Sequence, residues 1–269
     1  MGKLEGKIAI VLGAAGRDNM GQIIARRFAD EGAKVMVAGR NAEELERFAK
    51  EIGGAWAVCD ITKRQDNFDL VAKTKEVFGH VDIGLNATGW GLLRGFEKTS
   101  EEQLRKMSDL QFIGPFMFYQ ALVGGMDRGG SIIQISSATA VIMLNDHAAY
   151  MGTKAGTDHV LRCVANEYGH KGIRANSISP GFTDTPMTAA GVATPGVVEA
   201  FAAAYPLGRV GTKDDIAAAA VWLSSDECFM TGQNLQVNGG LTLRRNPTRD
   251  EVNAEVVKRT GKPRPAPAA

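Results

Sequence analysis

Cysteine and histidine are scarce in this chain, three and four among 269 residues. Cys59, Cys163 and Cys228 are odd in number and do not fall at metal-ligand spacing. That excludes a disulfide-stapled fold and a cysteine-built metal site, and predicts buried free thiols in a reducing cytoplasm. No apolar run is long enough to span a bilayer, and no leader pattern opens the sequence, so neither a membrane protein nor an exported one is expected. Charge of one sign is also missing: 31 basic residues face 30 acidic ones, scattered along the chain, which argues against a nucleic-acid partner. What remains is a length and an apolar content sufficient for one large α/β core.

The N-terminal stretch carries the first functional signal. Lys7-Ile-Ala-Ile-Val-Leu12 reads as a buried strand, Gly13, Gly16 and Gly21 follow, and Ile23–Ala29 has helical apolar spacing. Strand, glycine loop and helix in this order set a pyrophosphate on free helix N–H groups, with no Cβ between backbone and phosphate. The plainer reading is an ordinary strand-to-helix turn. A second strand, Lys34–Ala38, completes the unit and ends in Gly39-Arg40-Asn41. An acidic residue there would accept from a ribose 2′-hydroxyl. Its absence, with Arg40 at the strand end and Arg17 in the loop, favours a 2′-phosphate and hence NADP over NAD. The competing role for Arg40 is to cap a surface turn.

Tyr150-Met-Gly-Thr-Lys154 is the second signal, with Ser136 and Ser137 upstream. A spacing of four puts phenol and ammonium on one helix face. The cation is expected to lower the phenol pKa, so that Tyr150 exchanges a proton with a substrate oxygen that Ser137 holds. A solvated helix face explains most isolated pairs of this kind.

From about Leu4 to Leu243 the chain resembles the short-chain dehydrogenase/reductases. The motifs occur in order: the glycine loop, Asp60, Asn86-Ala-Thr-Gly89, Ser137, Tyr150 with Lys154, Asn176-Ser-Ile-Ser-Pro180-Gly181, Thr185-Pro-Met187, and Asn238-Gly-Gly240. The resemblance implies a single-domain α/β Rossmann fold, a doubly wound parallel sheet with helices on both faces. It implies a catalytic set of Ser137, Tyr150, Lys154 and, at the position of a relay asparagine, Gln111. It also implies a dinucleotide held by Gly13, Ala15, Arg17, Asn19, Met20 and Gly21 in the loop, with Arg40 at the end of the second strand. Asp60 and Ile61 would flank the adenine, and Asn86, Ala87 and Gly89 would lie under the cofactor. Tyr150, Lys154, Pro180, Gly181, Thr183 and Thr185 would surround the nicotinamide half.

Three features depart from the family pattern. Leu12 stands where a threonine usually braces the loop. The glycine loop is about two residues longer than usual, as in enoyl-acyl-carrier reductases, although those enzymes place six residues between tyrosine and lysine and this chain has three. Gln111 is one methylene longer than the asparagine that helps a water connect the lysine to solvent.

Alternation of strand and helix up to about Gly181 predicts one domain over residues 1–245. Within it, 185–206 forms either a mobile flap of one or two short helices or a fixed surface helix pair. Residues 246–269 read as an extension, a short helix with an apolar side at Val252, Val256 and Val257 and then a proline-rich end. The extension is either a solvated tail or a helix that packs on a neighbouring subunit. The apolar stretches Phe112–Phe118 and Thr157–Val164 point, with the resemblance, to a homotetramer or homodimer. Trp90, Leu92, Met143, His147, Phe182 and Met187 are the candidate substrate contacts. They are mostly apolar, so the expected substrate is a hydrophobic or aromatic ketone or secondary alcohol. An enoyl reductase and a non-catalytic dinucleotide-binding sensor are the alternatives.

Overall fold

Strand and helix alternate from the start of the chain. β1 (Ile8–Leu12), α1 (Met20–Asp30), β2 (Lys34–Gly39), α2 (Ala42–Ile52), β3 (Ala55–Val58), α3 (Arg64–Phe78) and β4 (Ile83–Asn86) form the first half. In the second half, α4 (Glu101–Ser108), a π-helical turn (Asp109–Ile113) and α5 (Gly114–Gly125) lead to β5 (Gly130–Ile135). Then come α6 (Ala148–Tyr168), β6 (Ile173–Pro180), α7 (Ala189–Val192), α8 (Val197–Ala204), α9 (Lys213–Ser224), β7 (Asn234–Val237) and α10 (Arg249–Thr260). This computed structural model describes residues 2–263, so most of the expected proline-rich end lies outside the described residues.

All seven strands are parallel, in the order β3-β2-β1-β4-β5-β6-β7. The expected doubly wound α/β architecture is what the chain adopts. β1 is apolar at every position and fully buried because both faces are covered. Ala9 and Val11 pack with Ile24 and Phe28 of α1 and Ile216 of α9, while Ile10 and Leu12 pack with Phe118 and Leu122 of α5. The strand order reverses between β1 and β4, and there a crevice opens at the carboxyl ends of the strands.

Beyond β7 the extension, expected as either a solvated tail or a helix on a neighbouring subunit, packs a helix on its own subunit. Val252 and Val256 of α10 are buried against Val197 and Phe201 of α8, and Val257 stays exposed. Thr248 and Glu251 form a capping box that starts the helix. Gly196 makes the contact possible: it has φ +92°, and a Cβ there would stand 2.7 Å from the Glu255 carbonyl oxygen. Arg249 pairs with Asp146, and Asn246 Nδ2 donates to the Met143 carbonyl at 3.0 Å. The extension therefore ties the 185–206 segment, which does form two short helices, to the loop preceding α6. One cysteine also departs from expectation: Cys59 and Cys228 are buried, but Cys163 is exposed on the outer side of α6.

Candidate active site

The glycine loop brings the ends of β1 and β4 together. Gly13 has φ +104°, and a Cβ on it would lie 2.7 Å from the Ala87 carbonyl carbon. Asn19 serves the loop twice. Its Oδ1 accepts from Gln22 N at 2.9 Å and caps α1, and its Nδ2 donates to the Gly13 carbonyl at 2.8 Å. That second bond supplies a loop brace in place of the threonine that Leu12 displaces, since Leu12 is spent in the core.

A cleft of about 420 Å³ runs from this loop along the strand ends. Of the expected dinucleotide contacts, Gly13, Ala15, Asn19, Met20, Arg40, Asp60, Ile61, Ala87, Gly89, Pro180, Gly181, Thr183 and Thr185 line it. The cleft thus joins the N-terminal end of α1, capped by Asn19, to a basic side chain at the end of β2. Three expected contacts are placed elsewhere. Arg17 is exposed and does not line the cleft, and its field falls on Glu44. Gly21 lies behind the loop against Gly13. Asn86 is buried, with its carboxamide committed to Gln134 at 2.8 Å and to Thr88. It braces the floor of the cleft rather than facing it.

Ser137 follows β5, and Tyr150 and Lys154 occupy successive turns at the start of α6. All three line the same cleft. The lysine does not lower the phenol pKa here. Burial pushes Tyr150 up to about 12; the Ser137 hydroxyl pulls the other way, and the Asp158 charge adds to the rise. Lys154 Nζ donates to the Ile135 carbonyl at 2.8 Å and stands 5.5 Å from the phenol ring centroid. Burial pulls Lys154 down to about 8, against the opposing field of Asp158. The phenol is thus neutral near pH 7, the form that donates a proton.

Gln111 sits in the π-helical turn beneath these residues and is buried. Its Oε1 accepts from Trp90 N at 3.0 Å, and its Nε2 donates to Thr153 Oγ1 at 3.1 Å. Its backbone carbonyl accepts from Thr157 Oγ1 at 2.6 Å. Its carboxamide is thus engaged with the Trp90 backbone, Met107 and Thr153.

The substrate candidates divide. Met187 lines the cleft mouth, exposed. His147 does not line the cleft; it stacks on Tyr150 and is held by the Leu92 carbonyl. Phe182 turns away into a stack with Phe201 at 4.5 Å and anchors α8. Trp90 lies under Lys106, whose Nζ is 4.6 Å from its ring centroid. Met143 is exposed outside the cleft and offers its carbonyl to the C-terminal extension. Sequence reasoning missed Ser136 as a lining residue and Asp158 behind it. Asp158 falls four positions after Lys154, a spacing that signals a shared helix face.

Residues 13–242 match the family model described as enoyl-(acyl carrier protein) reductase. A 3beta-hydroxysteroid dehydrogenase 1 of Eggerthella lenta is 35% identical over 250 residues, 89% of this chain and 95% of that protein. The chain is a short-chain dehydrogenase/reductase. A D-threitol dehydrogenase of Mycolicibacterium smegmatis is 34% identical over 90% of this chain and 95% of its own length. Among solved structures, a short-chain type dehydrogenase/reductase from Mycobacterium ulcerans superposes with TM-score 0.86 at 29% identity, covering 91% of this chain and 92% of that one. Relatives of this family oxidise or reduce CH–OH and C=O groups with a nicotinamide cofactor, so the chain is read as an oxidoreductase on small molecules. Among the described residues no helix is long and apolar enough to cross a membrane, and no cluster of metal-ligating side chains occurs.

Proposed function

We propose that this short-chain dehydrogenase/reductase moves a hydride between NADP(H) and a hydrophobic ketone or secondary alcohol, with Tyr150 as general acid and base. The observation that carries the reading is the convergence of Ser137, Tyr150 and Lys154 on the cleft that also holds the glycine loop and Arg40. Bound nicotinamide supplies the hydride to the carbonyl carbon. Ser137 holds the carbonyl oxygen by a hydrogen bond, and Tyr150 donates its proton to that oxygen. The Lys154 ammonium stabilises the phenolate left behind and binds the nicotinamide ribose. In the oxidising direction the same phenol accepts the alcohol proton. Arg40 would hold the 2′-phosphate at the end of β2, where Ala38 and Gly39 leave no carboxylate to repel it.

The apolar rim at Met187 and the lack of an arginine along the substrate end favour an uncharged substrate. The lengthened glycine loop supports a second reading, an enoyl reductase. Incubation with NADPH and a panel of ketones, enones and enoyl thioesters, followed at the nicotinamide absorbance, separates the two. Turnover of ketones supports the carbonyl reading, turnover confined to thioesters replaces it, and binding without turnover leaves a sensor.

The assembly we propose is a homotetramer or homodimer. Phe112, Ile113 and Phe116 remain exposed along the π-helical turn and α5, whereas Phe118 is buried in the core. The exposed three form the apolar patch that a partner subunit covers.

A further inference from the structure

A polar row runs behind the catalytic residues, and the proton transfer above makes no use of it. Asn238 Nδ2 donates to Gln236 Oε1 at 2.9 Å, Gln236 Nε2 donates to Asn234 Oδ1 at 2.9 Å, and Asn234 Nδ2 donates to Asp158 Oδ2 at 2.6 Å. Each amide fixes the orientation of the next, so the row ends with a donor pointed at a carboxylate. Ser136, which lines the cleft, donates to the same Oδ2 at 2.8 Å. Two donors on one oxygen favour the ionised carboxylate. One turn back on α6, Lys154 is buried, with one protein acceptor, the Ile135 carbonyl, and Asp158 Oδ1 is buried with no hydrogen-bond partner. An ammonium buried with a single neutral acceptor is costly without a counter-charge.

We propose that Asp158 is the counter-charge that keeps Lys154 protonated, a positioning residue for the Tyr150–Lys154 pair. The inference rests on the reading of Lys154 given above. The titratable groups facing Asp158 are Lys154 and Tyr150 on its own helix and Tyr119 from α5. The groups that β5, β6 and β7 turn toward it are the neutral Ser136, Ser177 and Asn234. Both phenols are held above their ordinary range by burial. Burial also raises Asp158, and the Ser136 and Ser177 hydroxyls and the Lys154 charge oppose that rise. Lysine and aspartate thus stabilise each other's charged forms. The ammonium that Tyr150 requires depends on a carboxylate outside the Ser137–Tyr150–Lys154 set.

The test is the Lys154 titration in the cofactor-free full chain. The 13Cε resonance of lysine-labelled protein, assigned with Lys154→Arg, reports the protonation midpoint directly. Asp158→Asn is expected to lower that midpoint by about one pH unit, the effect of removing a nearby opposite charge. The alkaline limb of kcat/KM should move by the same amount, and Asp158→Glu should restore both. An unmoved midpoint in folded Asp158→Asn protein overturns the proposal. If that variant does not fold, Asn234→Ala removes one donor from the carboxylate, and the Lys154 midpoint should again fall; no movement there also overturns it. An inactive wild type would overturn the proposed function and leave the cofactor-free titration to be judged on its own result.

Discussion

The imidazole of His147 lies on the ring of Tyr150, with centroids 4.2 Å apart and planes inclined by 23°. Its Nδ1 is 2.8 Å from the Leu92 carbonyl, an acceptor, so Nδ1 carries the proton and the ring cannot turn freely. Burial lowers the histidine pKa, which keeps the imidazole neutral beside the phenol. The stack therefore holds Tyr150 in one orientation without adding charge. An aromatic pair of this kind is worth about 0.5–1.5 kcal/mol. His147→Ala should lower kcat by up to about tenfold with NADPH binding unchanged, and His147→Phe should recover most of the loss. Steady-state kinetics and fluorescence titration check this, and an equal loss in both variants would assign the effect to something other than stacking.

Cofactor choice should follow one arginine rather than two. NADPH is expected to bind more tightly than NADH, and Arg40→Asp to reverse the order. A charge-assisted bond to phosphate contributes about 1.5–3 kcal/mol, so the wild-type preference should be on the order of 10- to 100-fold. Arg17→Ala should change it less, because Arg17 does not line the cleft. Titration of both cofactors into the three proteins decides the matter.

Removing the phenol should separate chemistry from binding. Tyr150→Phe is expected to cost about two to four orders of magnitude in turnover while NADPH still binds. Lys154→Ala should impair both, since one ammonium serves the ribose and the phenolate. Wild-type turnover in Tyr150→Phe would end the proposed proton transfer.

Lys154 also sets a pH dependence with a definite sign. Its folded value, about 8, lies below the ordinary 10.5. NADPH affinity should weaken as pH rises through about 8, where the ammonium is lost. For folding the sign is opposite. Between about 8 and 10.5 the unfolded chain still binds this proton and the native state does not, so this group adds stability as pH rises across that window. Urea unfolding of wild type and Lys154→Met at several pH values measures it. The difference in unfolding free energy should grow in favour of wild type with pH, and a flat difference would deny the buried shift.

The C-terminal helix should matter to the substrate and not to the cofactor. Val252 and Val256 each contribute up to roughly 1.5–2 kcal/mol by burial against α8. Val256→Asp, or a chain ending at Arg245, should raise KM for an apolar ketone several-fold while NADPH affinity stays level. Light scattering on the same proteins should find the same oligomer, since α10 packs on its own subunit. A monodisperse wild-type monomer at micromolar concentration would instead refute the proposed assembly.

The parts of this molecule legible in the sequence are those that local pattern dictates. β1, the Asn19 cap and the start of α1 follow from residues within a few positions of one another, as does the Tyr150–Lys154 pairing on α6. Errors arose where distant packing decides. Phe182 was read as a pocket residue from its place after Pro180-Gly181, but Phe201, nineteen positions later, draws it under α8. The spacing points to a Tyr150 pKa lowered by its lysine neighbour, whereas burial, invisible in a spacing, raises it. Arg17 counts toward the cofactor by its position in the loop, while the folded loop leaves it exposed and off the cleft lining. Asp158 escaped notice because its partners Ser136 and Asn234 lie on two different strands.

The two ends of the chain are not equivalent places to alter. Lys3 and Lys7 pair with Glu227 and Asp226 just ahead of β1, at the sheet edge opposite the cleft. The other end leaves from α10, the helix that closes against α8 and the loop before His147. A substitution near Lys3 or Lys7 stands clear of the cleft. A substitution on α10 acts on the helix that α8 packs against, so it can disturb the 185–206 segment without touching a residue that lines the cleft.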